Sequence, residues 1–174
     1  LTFVGGGMYV GNFDKVLFSP ATFTAGLEYS HNNMHDIMAG YNRDLEQKVR
    51  IASAFFQNEW KMNDFTLLAG FRLDDHNLIE NLIFSPRVNL LYKPSDALQG
   101  RLTWSTGFRA PQAYDEDLHI TAVGGEGVLI HLADGLKPEK SNSFRGSVDL
   151  SGQIGHFQTN LLIEGFYTSL KDVF

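Results

Sequence analysis

The 174-residue chain contains no cysteine, which removes disulfides, zinc–thiolate centres and thiol nucleophiles. It also lacks any run of about 18 apolar residues, so no helix of it can cross a bilayer. That exclusion does not reach β-strands, which cross in about 9–11 residues with every second one apolar. A mean hydropathy of −0.15 is too polar for a helical membrane protein and ordinary for a barrel. An excess of positive charge is missing as well: 14 Lys and Arg face 20 Asp and Glu, a net charge of −6, which argues against a nucleic-acid partner. No GxSxG, no HExxH and no triad spacing is present, and the histidines fall in loops and at strand ends, so the chain is not expected to be an enzyme. No signal-peptide pattern opens the chain, which starts at Leu1, and we expect a section of a longer protein.

What remains is 43% hydrophobic residues, 13% aromatics, 17 glycines and only 5 prolines, a composition that suits a folded, β-rich chain. Apolar residues recur with period 2. In 65–74, Phe65, Leu67, Ala69, Phe71 and Leu73 share a face opposite Thr66, Gly70, Arg72 and Asp74. In 97–109, Leu98, Leu102, Trp104 and Phe108 oppose Gln99, Arg101, Thr103, Ser105 and Arg109. Residues 142–151 set Phe144, Val148 and Leu150 against Ser143, Arg145, Ser147 and Asp149, and 21–30 set Ala21, Phe23, Ala25, Leu27 and Tyr29 against Thr22, Thr24, Glu28 and Ser30. The stretch 83–93 alternates too, with Arg87, Asn89 and Lys93 on its polar side. Two strands are less regular: 47–60 holds the adjacent Phe55 and Phe56, which leaves its face open, and 157–168 has Leu162 and Phe166 opposite Leu161, Ile163 and Tyr167. Residues 1–10 add a possible further strand.

The connections alternate in length. Those near 31–45 and 110–141 are long, 75–82 is intermediate, and 61–64, 94–96 and 152–156 are short. In an up-and-down meander this gives one end tight turns and the other end loops, as in outer-membrane barrels. A soluble antiparallel barrel binding an apolar ligand explains the alternation equally well, but not this asymmetry, nor a long loop without secondary structure.

From Phe56 onward the chain carries, in order, Gln57–Glu59–Trp60, Ala69–Gly70–Phe71–Arg72, Ser85–Pro86–Arg87, Gly107–Phe108–Arg109–Ala110–Pro111 and Leu136–Lys137–Pro138–Glu139. This series, at hairpin spacing, resembles the barrel of a TonB-dependent outer-membrane receptor. The resemblance implies an all-β, up-and-down antiparallel meander, part of a transmembrane β-barrel, with residues 1–174 supplying about eight of roughly 22 strands. It implies an outer-membrane location and a receptor that binds a siderophore, haem, cobalamin or glycan and imports it with energy relayed by TonB. The partners are then TonB, acting through a plug and TonB box that this sequence does not contain, a small-molecule ligand and outer-membrane lipid; no nucleic acid and no cofactor are implied. A binding or adhesin-like barrel without transport is the alternative in the same membrane.

The candidate ligand-contacting residues are Arg109, Asp115, Glu116, His119 and His131. Arg109, just before Pro111, either ends a strand, since Pro111 has no N–H to donate, or meets an anionic ligand at the mouth of the lumen. His119 and His131 lie where some haem receptors of the family carry a histidine between a FRAP and an NPDL motif; here Ala133–Asp134–Gly135–Leu136 replaces the second motif. Asp115 and Glu116, with Asp117, Glu126 and Asp134, form an acidic loop, either solvated or a weak site for a hard cation. His31, His35 and Asp36 would meet at a transition metal only on a helix, which Asn32–Asn33 disfavours. Gly124, Gly125 and Gly127 do not make a phosphate loop, because no Lys-Ser/Thr follows. Trp60, Trp104, Tyr29, Tyr92 and Tyr167 are expected either to form an interfacial girdle or to be core aromatics.

Overall fold

The computed structural model describes residues 1–38, 43–111 and 137–173. They form one antiparallel sheet: β1 (Thr2–Val16), β2 (Ser19–Met38), β3 (Arg43–Met62), β4 (Phe65–His76), β5 (Ile83–Tyr92), β6 (Leu98–Arg109), β7 (Glu139–Ile154) and β8 (Phe157–Lys171). Each strand pairs with its neighbours in sequence, in the spatial order β1 to β8, so β1 and β8 are bonded along one edge only. The up-and-down meander expected from the sequence is the observed fold, and the stretch 1–10 belongs to a longer strand.

Directly opposed residues lie on the same face of a sheet, so the register turns strand alternation into continuous rows. Phe23, Asn58, Ala69, Val88, Trp104 and Phe144 form one such row, and Ala21, Trp60, Leu67, Leu90, Leu102 and Gly146 the next. Ring contacts run across this face from Phe13 to Phe23, Phe56, Phe71 and Phe84, with centroids 6.4, 4.8, 5.7 and 5.5 Å apart. The other face carries Glu28, Ser53, Asp74, Arg72, Arg87, Ser105 and Arg145.

The register also assigns β3. Phe56 sits between Phe23 and Phe71 on the apolar face. Phe55 lies on the polar face opposite Gly26 and Arg72. There it covers Gly26, where a β-carbon would collide with the Phe55 ring. Leu162 and Phe166 of β8 also face the polar side, opposite Asp149 and Arg145.

No second layer covers the apolar face among the described residues. Among the described residues the buried hydrophobic side chains are Ala21, Val49, Ile83 and Ala110 alone, while Leu102, Phe144, Leu161, Ile163 and Tyr167 are all more than half exposed. In water such an area would have to be covered. Lipid covers it without any second layer. On β4 the apolar stretch from Phe65 to Leu73 is followed by Asp75, and at roughly 3.3 Å per residue it measures about 26 Å along the strand, or about 20 Å of height at the tilt of an outer-membrane barrel strand, most of the apolar band of such a barrel.

The tight end has strong local determinants. Leu17, Asn63 and Gly155 adopt φ of 64°, 44° and 63° in the turns joining β1–β2, β3–β4 and β7–β8. Such two-residue hairpins call for positive φ, which Gly and Asn accept and Leu does not. Trp60 braces the first turn by donating its indole N–H to the Val16 carbonyl at 3.1 Å and stacking on Phe18 at 5.7 Å. In the β5–β6 turn, Lys93 donates to Asp96 at 2.9 Å, and this holds the Asp96 carboxyl below the usual carboxylate range.

The far end departs from expectation in one place. The stretch 31–45 is not a long loop: β2 continues to Met38 and β3 begins at Arg43, so the two strands form a 20-residue-by-20-residue hairpin. The reason is physical. Beyond Tyr29 both faces meet water, so the apolar alternation stops while the ladder continues through His31–Arg50, Asn33–Lys48 and His35–Glu46. The connection between β4 and β5 is tied down by Asn77, whose side chain accepts from the Arg50 N–H at 2.7 Å and donates to the Lys48 carbonyl at 2.9 Å.

Candidate functional site

The polar face holds the chain's charged chemistry. Its most buried part is a network over β2, β3 and β4. Arg72 donates from Nε to Asp74 at 2.7 Å, and from Nη2 to Glu28 at 3.0 Å and to the Ser53 hydroxyl at 2.8 Å. Ser53 in turn donates to Asp74 at 2.6 Å. Asp74 is 2% exposed, and its charge is held there by two donors, as a buried carboxylate requires. The sequence placed Arg72, Asp74 and Glu28 on polar faces; their meeting needs the register, because Glu28 and Arg72 are two strands apart.

Beside this network a trough of about 440 Å³ opens over Gly70, with Phe55, Gln57, Ser85, Arg87 and Ser105 among its walls. A β-carbon at Gly70 would lie 2.5 Å from the Phe56 carbonyl oxygen and 2.6 Å from the Gln57 β-carbon, so only glycine lets β3 pack this closely against β4. Further along, Arg145 is paired with Glu164.

Arg109 ends β6 on the polar face and pairs with Glu139, the first residue of β7, with Nη1 and Oε2 3.8 Å apart. The ladder stops there, next to buried Ala110 and before Pro111, so the strand-ending reading of this motif describes the geometry. Asp115, Glu116, His119 and His131, together with the acidic and glycine-rich stretch around them, lie outside the described residues.

His31, His35 and Asp36 do not come together. His31 and His35 are on one face of β2 about 13 Å apart at the rise of an extended strand, and Asp36 is on the other. His35 instead makes a hydrogen bond to Asp44 at 2.6 Å. Among the described residues no group of three His, Asp or Glu side chains could hold a metal.

All five girdle candidates lie on the apolar face, Trp60 and Tyr92 toward the tight turns, Tyr29 and Tyr167 toward the other end, and Trp104 in mid-strand rather than at an interface. Trp104 satisfies its indole N–H on Asn142 at 2.7 Å.

An antiparallel meander with one lipid-ready face, one charged face and hairpins of unequal length defines the wall of a transmembrane β-barrel. The model of the TonB-dependent receptor-like β-barrel matches residues 3–174, and the chain belongs to that family. It is an outer-membrane protein of a receptor family. Among solved structures it is similar to the siderophore receptor PirA from Pseudomonas aeruginosa, with 18% identity and a TM-score of 0.77 over 97% of this chain and 32% of that one. It is also similar to a ferric enterobactin receptor mutant from the same organism, in complex with enterobactin, with 18% identity and a TM-score of 0.69 over 86% of this chain and 24% of that one. The siderophore receptor PirA from Acinetobacter baumannii matches with 20% identity and a TM-score of 0.65 over 97% of this chain and 34% of that one. The chain thus spans about a third or less of the structures it matches. No curated protein matches it.

Proposed function

We propose that the chain forms part of the wall of a receptor that takes up a scarce nutrient, a ferric siderophore, across the outer membrane with energy supplied through TonB. The observation that carries this is the division of the sheet: an uncovered apolar face beside a face of paired and unpaired charges, repeated over eight strands. That is the wall of an aqueous passage through lipid. The siderophore class is supported by the likeness of the fold to two siderophore receptors and an enterobactin receptor. The TonB partnership is supported by the family. In this reading Asp115, Glu116, His119 and His131 lie in the loop above the passage and contact the ligand, while Arg109 shapes the rim through Glu139.

The test uses cells that make the whole receptor. Uptake of radioiron as a panel of ferric siderophores should saturate, and should vanish on deleting either the receptor or TonB. A receptor that binds no siderophore overturns the ligand class, with haem, cobalamin and glycans as the remaining probes. Ligand binding with uptake that ignores TonB identifies a binding or adhesin-like barrel instead.

A further inference from the structure

One row of the polar face differs from its neighbours. Thr24, Gln57, Gly70, Arg87, Ser105 and Ser143 stand side by side across β2 to β7. The row ends on β8 at Thr168, which shares a hydrogen bond with Ser143 at 2.9 Å. It holds a single charge, the Arg87 guanidinium, among neutral hydrogen-bonding groups. Along its own strand Arg87 is flanked on this face by Ser85 and Asn89, again neutral. Its nearest charged diagonal neighbour is Arg72, a like charge already engaged by Glu28 and Asp74.

Most arginines of this face have acids, Arg101 being, with Arg87, an exception among the described residues. Arg72, Arg109 and Arg145 are each paired, whereas among the described residues no carboxylate pairs with Arg87. A guanidinium offers a planar fork of donors matched to two oxygens, and the surrounding hydroxyls and amides add further donors. The trough of about 440 Å³ opens beside Arg87, with Gln57, Gly70, Ser85 and Ser105 among its walls.

We propose that Arg87, with Gln57, Ser85 and Ser105, forms an oxyanion-binding site on the inner wall, which takes the carboxylate of a small molecule entering the trough over Gly70. The proposal rests on the reading that this face lines an aqueous passage. The Phe55 ring forms an apolar wall of the same trough, so a carboxylate attached to a flat apolar body fits better than a bare inorganic anion.

The test is a titration of the detergent-solubilised receptor with 4-fluorobenzoate, read by fluorine NMR, with sulfate as competitor. Parent protein should show saturable broadening that sulfate relieves only weakly. Arg87→Gln should weaken binding by about tenfold or more, the usual loss for a charge-assisted bidentate contact. Arg101→Gln, an arginine on the same face outside the row, should leave it unchanged. Equal binding by parent and Arg87→Gln overturns the site. Absence of saturable binding by the parent, together with a destabilised Arg87→Gln protein, also overturns it and assigns the guanidinium to a carboxylate of the protein itself. The lumen reading is checked separately by spin-labelling Gln57→Cys: a label accessible to a water-soluble relaxation agent upholds that reading whatever the titration shows. A label accessible only to oxygen dissolved in lipid overturns that reading and the site together.

Discussion

Leu102 and Thr103 are neighbours in the middle of β6, yet they face different solvents. Leu102 is 62% exposed on the apolar face, between Leu90 and Gly146. Thr103 is half-buried on the polar face and accepts from Asn89 at 2.7 Å. An arginine on the lipid face of a barrel near the bilayer midplane costs about 2–4 kcal/mol. Leu102→Arg should therefore destabilise the folded barrel by about that much, with the lost leucine–lipid contact included. Thr103→Arg forfeits one hydrogen bond, about 1 kcal/mol, and places its charge in water. The assay is reversible urea unfolding from lipid vesicles, with the folded fraction read from tryptophan emission. The expected difference between the two variants is about 2 kcal/mol, or about thirtyfold in the folding equilibrium. A sheet bathed by water on both sides would reverse the ranking, since an arginine at an exposed leucine costs about 0.5 kcal/mol or less. Equal costs, or a larger cost at Thr103, would refute the assignment of faces.

Three further outcomes follow from single features. Asp74→Ala removes two hydrogen bonds from a 2%-exposed carboxylate and leaves Arg72 with Glu28 and Ser53; about 2–3 kcal/mol of stability should be lost, and a loss below about 0.5 kcal/mol in the same urea assay would show that the network is inert. Asn77→Ala should raise amide hydrogen exchange at Arg50 by about tenfold with no change in the centre of β3, because its carboxamide is the acceptor for that N–H. Leu17→Gly should stabilise the protein by about 0.5–1 kcal/mol by relieving φ of 64° at a side chain, and a neutral or destabilising result would mean that the exposed Leu17 side chain makes a compensating contact with the membrane.

How far these features could be read from the sequence depends on the solvent each residue faces. Where a strand has lipid on one side and water on the other, alternation is strong, and Phe65 to Leu73 or Leu98 to Phe108 could be assigned to faces without coordinates. Where Phe55 and Phe56 stand together, alternation says nothing; only the register places Phe55 over Gly26 on the polar side. Beyond Tyr29 water lies on both sides, so polar residues in strand and in loop look alike and the hairpin was hidden. The candidate site was legible by residue type and not by partner. Arg72, Asp74 and Arg87 fall on polar faces by counting alone, but which one is paired and which one faces an empty trough depends on cross-strand neighbours, a long-range property that no local pattern encodes. Arg109 is a case where the sequence offered two roles, and the fold places it on the last rung of the ladder, beside Glu139.

The 20-residue strands β2 and β3 have a practical meaning for the living cell. About eight residues of each stand past the greasy belt, which at strand rise makes a stiff ribbon on the order of 25 Å long. It reaches out from the bilayer surface as a mast, with His35, Asp44, Glu46 and Lys48 along one side, all outside the hydrocarbon. Antibody raised against that ribbon should stain intact, unpermeabilised bacteria, which makes it the natural handle for following this protein on the cell surface.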